Sequence, residues 1–214
     1  DSPDNGDAKG GNCAHGSAPD RLSPATLIPF GRRMRVWHDL GVLLVIIIGG
    51  GIGGLTTAGA LRRAGIAAEV YERADEMREV GAGLSLWRNA LVALDRIGLG
   101  QAIREYSVPY VNAGLRRSDG RMLVATSMRG LMAEYGEIAV VLHRATVQSV
   151  LVNALGRDRI HLGKACTSIE QDASGVTATF ADGTRVRGDG LIGADGLHSV
   201  VRAALHGAAR PRYS

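Results

Sequence analysis

The sequence predicts an α/β fold with a parallel sheet and a β-meander, and three observations near its start support this. A continuous apolar run at 41–48 is typical of a strand buried on both faces of a parallel sheet. Five glycines then fall within positions 49–54, directly before a helical pattern at 55–63. A second strand-like segment at 67–72 follows, so strand, turn, helix and strand come in the order of a βαβ unit.

Composition and charge narrow the class of protein. Of the 214 residues, 45% are hydrophobic and 21% are charged, which is enough apolar material to bury a core. The formal net charge is +4, but basic and acidic residues are interleaved, so the sequence predicts no nucleic-acid partner. With only two cysteines and scattered histidines, we expect neither a disulfide framework nor a metal site, and a cytoplasmic location is the default expectation.

The first 40 residues differ from the rest of the chain. Residues 1–40 contain four of the six prolines and no sustained helical or strand period, so we expect a disordered leader before a domain at 41–214. The uncharged stretch at 40–61 is 22 residues long, which is the length of a membrane span. Seven of those residues are glycine, each costing a helix about 1 kcal/mol. The sequence therefore predicts a strand, a turn and a helix there, and no integral membrane segment.

The glycine-rich turn matches the pattern of a dinucleotide phosphate site at Gly49, Gly51 and Gly54. We expect Gly49 to permit the tight turn, Gly51 to let the backbone approach a pyrophosphate, and Gly54 to let the helix pack on the strand. The helix N-terminus would present N–H groups and a partial positive charge to the phosphates. Glu72, at the end of the second strand, is placed to bind ribose hydroxyls and would repel the 2′-phosphate of NADP. That leaves NAD or FAD.

Later segments predict further strands. Residues 111–127 and 138–142 are strand-like, with a turn at Asp119-Gly120, and we expect 108–142 to contribute the start of a substrate-side sheet. A β-meander turned at Asp182-Gly183 is predicted over three strands, at 160–171, 175–181 and 184–188. Leu191-Ile192 would then return to the main sheet.

Three further segments, taken together with the glycine turn, carry a resemblance to a known family. They are GAGLSLWRNA at 81–90, His143-Arg144 at a helix start, and GADGLHSVVR at 193–202. This ordered set resembles the FAD-dependent aromatic hydroxylases, the p-hydroxybenzoate and salicylate hydroxylase family, over about residues 42–214. The GAGLSLW segment and the closing RPRY at 210–213 look most similar to the FAD-dependent urate hydroxylases in it. The resemblance implies a Rossmann-like FAD-binding domain.

The resemblance also implies roles for single residues around FAD. Gly53 would contact the pyrophosphate, and Glu72 with Arg73 the adenosine end. Ser85 lies on the segment that the family places against the flavin.

Four more residues come from the later motifs. Arg144 would reach the ribityl–phosphate region, with a surface ion pair as the alternative. Cys166 would lie beside adenine, although a core position in a strand is the simpler interpretation. Asp195 and Gly196 would support the pyrophosphate region and the approach of the reductant, or form only a turn before a helix.

The function that the resemblance implies is a monooxygenase that consumes NADH or NADPH and O₂. It would hydroxylate an aromatic or heteroaromatic small molecule, with urate the first candidate and salicylate the next. No catalytic residue is identified, which suits an enzyme whose cofactor performs the chemistry. Chains of the family are longer, so we expect an N-terminal portion with weakened FAD binding and little or no hydroxylation. An NAD-dependent dehydrogenase and a non-catalytic Rossmann-like nucleotide-binding fragment remain alternatives.

Overall fold

The computed structural model describes residues 43–77, 82–110 and 112–207. The expected leader at 1–40, Gly81 and the segment at 210–213 lie outside the described residues. The described strands are β1 (Leu44–Ile48), β2 (Ala67–Tyr71), β3 (Gly83–Trp87), β4 (Val108–Pro109), β5 (Asn112–Arg116), β6 (Met122–Ser127), β7 (Ala139–His143), β8 (Ile160–His161), β9 (Cys166–Asp172), β10 (Gly175–Phe180), β11 (Arg185–Gly188) and β12 (Gly190–Gly193). The described helices are α1 (Ile52–Arg63), α2 (Arg88–Arg96), α3 (Gly100–Glu105), α4 (Arg129–Tyr135), α5 (Arg144–Leu155) and α6 (Val200–His206).

A four-stranded parallel sheet in the order β12-β1-β2-β8 forms the centre of the fold. The predicted parallel sheet and the return of Leu191-Ile192 to it are both confirmed, since Leu191 and Ile192 pair with Ile46 and Ile47. The described part of the stretch at 40–61 forms β1, the glycine turn and most of α1. Within the described ranges, no helix has the length and apolar character needed to cross a membrane.

Side chains of β1 alternate between the two faces of this sheet, and each face is buried. Ile47 packs in a core with helices α1 and α5, which includes Leu55 and Leu151. Ile46 and Ile48 pack on the opposite face, in a cluster that contains residues of β10 and α6, among them Phe180 and Val201. The β-branched run at the start of the chain therefore forms a strand covered on both sides.

The predicted meander is present, but its first strand is shorter than expected. The three strands pair antiparallel in the order β11-β10-β9. The single strand predicted over 160–171 was wrong, because β8 joins the parallel sheet beside β2 while β9 joins the meander. The break lies at Gly163, which has φ +67° and donates its N–H to the Ala74 carbonyl. A positive φ, which glycine adopts readily, lets the chain leave one sheet and enter the other.

The strands at 108–142 fall into two separate sheets. β5 and β6 form the predicted hairpin, with Asp119-Gly120 in its turn. β7 does not join this hairpin; it pairs with β3 on one side and with β4 on the other. A contribution of 108–142 to a substrate-side sheet stays a prediction.

Candidate cofactor site

The glycine turn between β1 and α1 depends on the absence of side chains at two positions. Gly49 has φ +109°, and a Cβ there would lie 2.3 Å from the Ala194 carbonyl oxygen. A Cβ at Gly54 would lie 1.9 Å from the Gly49 carbonyl oxygen. The turn and the close approach of helix and strand expected at these positions are therefore steric requirements of the fold.

Gly51 and Gly53, unlike Gly49 and Gly54, lie beside open space. A Cβ at either position would meet no heavy atom within 4 Å, so the space beside the backbone is open. α1 begins at Ile52 with Gly51 as its N-cap, three residues earlier than the sequence predicted, and no side chain caps it. Because the first N–H groups of a helix have no partner within it, this open end is suited to bind an anion. No acidic side chain occupies the first turn of α1.

One cavity of about 390 Å³ opens at the carboxyl end of the parallel sheet, beside this turn. Eight of the residues predicted for the site line it: Gly49, Gly51, Glu72, Arg73, Arg144, Cys166, Asp195 and Gly196. Elements far apart in the chain meet here because β12, β1 and β2 are neighbours in one parallel sheet and end at the same edge. Three basic side chains, of Arg73, Arg144 and Lys164, line the same cavity and can offset the charge of a pyrophosphate.

Three residues predicted for the site do not line this cavity. Gly54 is buried under the turn, where it serves packing. Gly53 is exposed in the first turn of α1. Ser85 is exposed on β3, opposite Val141 of β7. The contacts of Gly53 with pyrophosphate and of Ser85 with flavin stay predictions.

Glu72 holds the glycine turn as well as lining the cavity. Its Oε2 accepts from the Gly50 N–H at 2.6 Å, and its Oε1 accepts from the Ala74 N–H at 3.0 Å. Each carboxylate oxygen has a second lone pair, so the side chain can still accept from ribose hydroxyls. Glu72, which the sequence identified as a ribose-binding acid by its position, thus also stabilises the glycine turn.

Asp195 anchors the start of α6. Its carboxylate accepts from the Val200 N–H at 2.7 Å, from the Val201 N–H at 3.2 Å and from the Ser199 hydroxyl. Ser199 in turn caps the helix by accepting from the Arg202 N–H. The Asp195 side chain therefore stabilises the helix start, and Asp195 also lines the cavity, as does Gly196, which has φ +82°. The roles of both residues at the pyrophosphate stay predictions.

Cys166 lies at the first position of β9, half-buried in the cavity wall. Burial raises the pKa of its thiol, and the Asp195 carboxylate nearby raises it further. The thiol is thus kept neutral, which fits contact with an uncharged ring better than reactivity. Lys164, two residues earlier, pairs with Asp182 in the turn of the meander and donates to the Thr184 hydroxyl at 2.9 Å.

Sequence reasoning missed several residues of the site. Lys164 and His198 line the cavity without belonging to any expected role. Gln148 lies on α5 and donates to the Gly50 carbonyl. Its spacing from Arg144 was a usable signal, because residues four apart share one face of a helix.

A parallel α/β sheet with a glycine turn, an open helix N-terminus and a basic cavity at its carboxyl edge defines a dinucleotide-binding protein. Comparison with known families makes this specific. The chain matches the family described as FAD binding domain over residues 43–211, and it belongs to that family. FAD is therefore its cofactor, and the open turn and the basic side chains described above fit that group.

Similar proteins bear the names of monooxygenases and hydroxylases. The chain is 38% identical over 172 residues to an aurachin C monooxygenase/isomerase of Stigmatella aurantiaca, covering 80% of this chain and 45% of that protein. It is 37% identical over 158 residues to an FAD-dependent urate hydroxylase of Klebsiella pneumoniae, covering 73% and 41%. The crystal structure of Klebsiella pneumoniae HpxO with FAD and uric acid superimposes with a TM-score of 0.70 at 35% identity, over 75% of this chain and 41% of that one. The chain thus spans less than half the length of these relatives.

Proposed function

We propose that this chain is part of an FAD-dependent monooxygenase that consumes NADH or NADPH and O₂. Its substrate would be an aromatic or heteroaromatic small molecule, with urate the first candidate and salicylate the next. The observation that carries the proposal is that one cavity is lined by the glycine turn, Glu72 and residues 194–196, in a chain 37% identical over 158 residues to a urate hydroxylase. No metal or nucleic acid enters the proposal.

Different residues of the cavity would bind different parts of FAD. The N–H groups at the start of α1 would bind the pyrophosphate, with Arg144 supplying positive charge. Glu72 and Arg73 would bind the adenosine end, and the neutral thiol of Cys166 would contact adenine. Bound FAD supplies the redox and oxygen chemistry, while this chain binds and orients it.

We further propose that these 214 residues hydroxylate slowly or not at all on their own. They correspond to 41–45% of the length of the relatives named above, so any substrate contacts that the uncovered part of those proteins makes would be missing from these 214 residues. A Rossmann-like fragment that binds nucleotide without catalysis is the second candidate function, and the same coverage favours it.

The test begins with the spectrum of the purified chain after incubation with FAD, or in parallel with NAD, followed by gel filtration. Retained flavin absorption is expected; retained NAD with no flavin would support the dehydrogenase alternative instead. The flavin-loaded chain is then given NADH or NADPH under ¹⁸O₂ with urate or with salicylate. One ¹⁸O atom in the product, together with substrate-dependent NAD(P)H oxidation, supports the monooxygenase. A hydroxylation rate typical of an intact enzyme would contradict the expected low activity of this chain. Flavin binding without any product agrees with the expected low activity of this chain and equally with the non-catalytic fragment.

A further inference from the structure

Gly50 is held from both sides by side chains that are distant in the sequence. Its N–H donates to Glu72 Oε2 at 2.6 Å, and its carbonyl accepts from Gln148 Nε2 at 3.1 Å. Gln148 lies 98 residues away, on α5, one turn after Arg144. Gly50 is itself buried, and a Cβ there would lie 2.9 Å from the Glu72 Cβ.

The hydrogen bond from Gln148 determines the direction of the next N–H group. In a trans peptide the carbonyl of one residue and the N–H of the following residue point in opposite directions. The Gly50 carbonyl faces Gln148, so the Gly51 N–H points away from Gln148. Gly51 lines the cofactor cavity, and the space beside it is open.

A turn made of glycines needs such external support. Glycine has the largest choice of backbone conformations, and a run of glycines has no side chains that could hold the turn in one of them. If the peptide after Gly50 turned over, the carbonyl would present its partial negative charge to the cavity in place of the N–H. That orientation would repel a pyrophosphate, whereas an N–H in the same place would donate to it.

We propose that Gln148 is a positioning residue for cofactor binding. It holds the Gly50 carbonyl on the side away from the cavity, so that the Gly51 N–H is oriented for the pyrophosphate before FAD arrives. Glu72 fixes the other side of Gly50, and the two side chains together pre-organise the turn. The proposal rests on FAD binding and is independent of which substrate is hydroxylated.

The test uses the variant Gln148→Leu, which removes the amide donor and keeps a side chain of similar size. Asn153→Leu is the control, because it replaces an amide by leucine at an exposed position of α5. The dissociation constant of FAD is measured by flavin fluorescence during titration, without reductant or substrate. The thermal unfolding midpoint is measured without FAD. We expect Gln148→Leu to weaken FAD binding about fivefold, the effect of one lost hydrogen bond. The midpoint should fall modestly, because the chain without FAD loses the same hydrogen bond. Asn153→Leu should leave both unchanged.

Gln148→Glu provides a second variant that keeps size and polarity. A carboxylate would place an acceptor against the Gly50 carbonyl, so it should weaken FAD binding more than Gln148→Leu does. A dissociation constant unchanged from the parent in both variants would overturn the proposal. So would a lower unfolding midpoint with unchanged FAD affinity, because Gln148 would then serve only the fold. Absence of FAD binding by the parent chain would overturn it as well.

Discussion

Glycines that look alike in the sequence have different physical roles in α1. Gly54 lies where a Cβ would overlap the Gly49 carbonyl oxygen at 1.9 Å, whereas a Cβ at Gly59 would meet nothing within 4 Å. We expect Gly54→Ala to reduce the free energy of unfolding by about 3 kcal/mol, because helix and strand must separate. Gly59→Ala should raise it by about 0.5–1 kcal/mol, since alanine favours the helix. Urea unfolding of both variants measures this, and equal effects would contradict it.

The sequence predicted residues whose roles follow from local spacing. Gly49, Gly54 and Glu72 occupy fixed positions within one βαβ unit, so pattern alone located them. Gln148 and Gly50 form a pair separated by 98 residues, and only the packing of α5 against the turn brings them together. Contacts of this kind depend on tertiary structure, which single-sequence reasoning does not provide.

At the scale of an element, Asp195 should stabilise the start of helix α6. Its carboxylate accepts from two backbone N–H groups at the helix start, at 2.7 and 3.2 Å. Asp195→Ala should cost about 1–2 kcal/mol of stability without FAD, as loss of a helix cap does. Leu197→Ala, at an exposed position in the same loop, should be nearly neutral. Chemical unfolding of the apo chain checks both, and an unchanged stability for Asp195→Ala would show that the carboxylate serves the ligand alone.

An ion pair between Lys164 in the cavity wall and Asp182 in the meander contributes to stability in a way that depends on pH. A hydrogen bond from Lys164 lowers the pKa of Asp182 to about 2, below the value of about 3.9 for an unfolded chain. A depressed pKa gives stability that is present above the unfolded value and is lost as pH falls towards the folded value. The stability advantage of the parent over Asp182→Asn should therefore be constant above about pH 5, decline as the pH falls from about 5 to 2, and vanish only below about pH 2.

Urea unfolding of parent and variant between pH 2 and pH 7 measures this advantage. Lys164→Met should remove the largest share of this pH-dependent part, and adding Asp182→Asn should remove the rest, which comes from the hydrogen bonds that Thr184 donates to Asp182. A difference between parent and Asp182→Asn that stays the same at all pH values would contradict the prediction. Lys164 lies in the break between β8 and β9, and Asp182 lies in the turn between β10 and β11. The break within 160–171 is therefore stabilised by a contact from outside that segment, which is why its position was difficult to predict.

At the scale of the whole molecule, the cavity collects groups suited to the ADP part of FAD. The glycine turn and the start of α1 offer N–H groups to phosphates, and Glu72 offers acceptors to ribose hydroxyls. These groups come from β1, α1 and β2, the unit that also forms the centre of the core. A ligand bound there should therefore stabilise the entire described domain.

We expect FAD to raise the thermal unfolding midpoint of the chain, by an amount that grows with its concentration. A ligand that binds only the folded state stabilises it by about 2.7 kcal/mol at a hundred times its dissociation constant. ADP carries the pyrophosphate and the ribose, so it should give part of this shift and compete with FAD. FMN lacks the adenosine half and should give less than ADP. Differential scanning fluorimetry with equal concentrations of the three ligands makes the comparison, and a larger shift with FMN than with ADP would place the main binding energy at the flavin end instead.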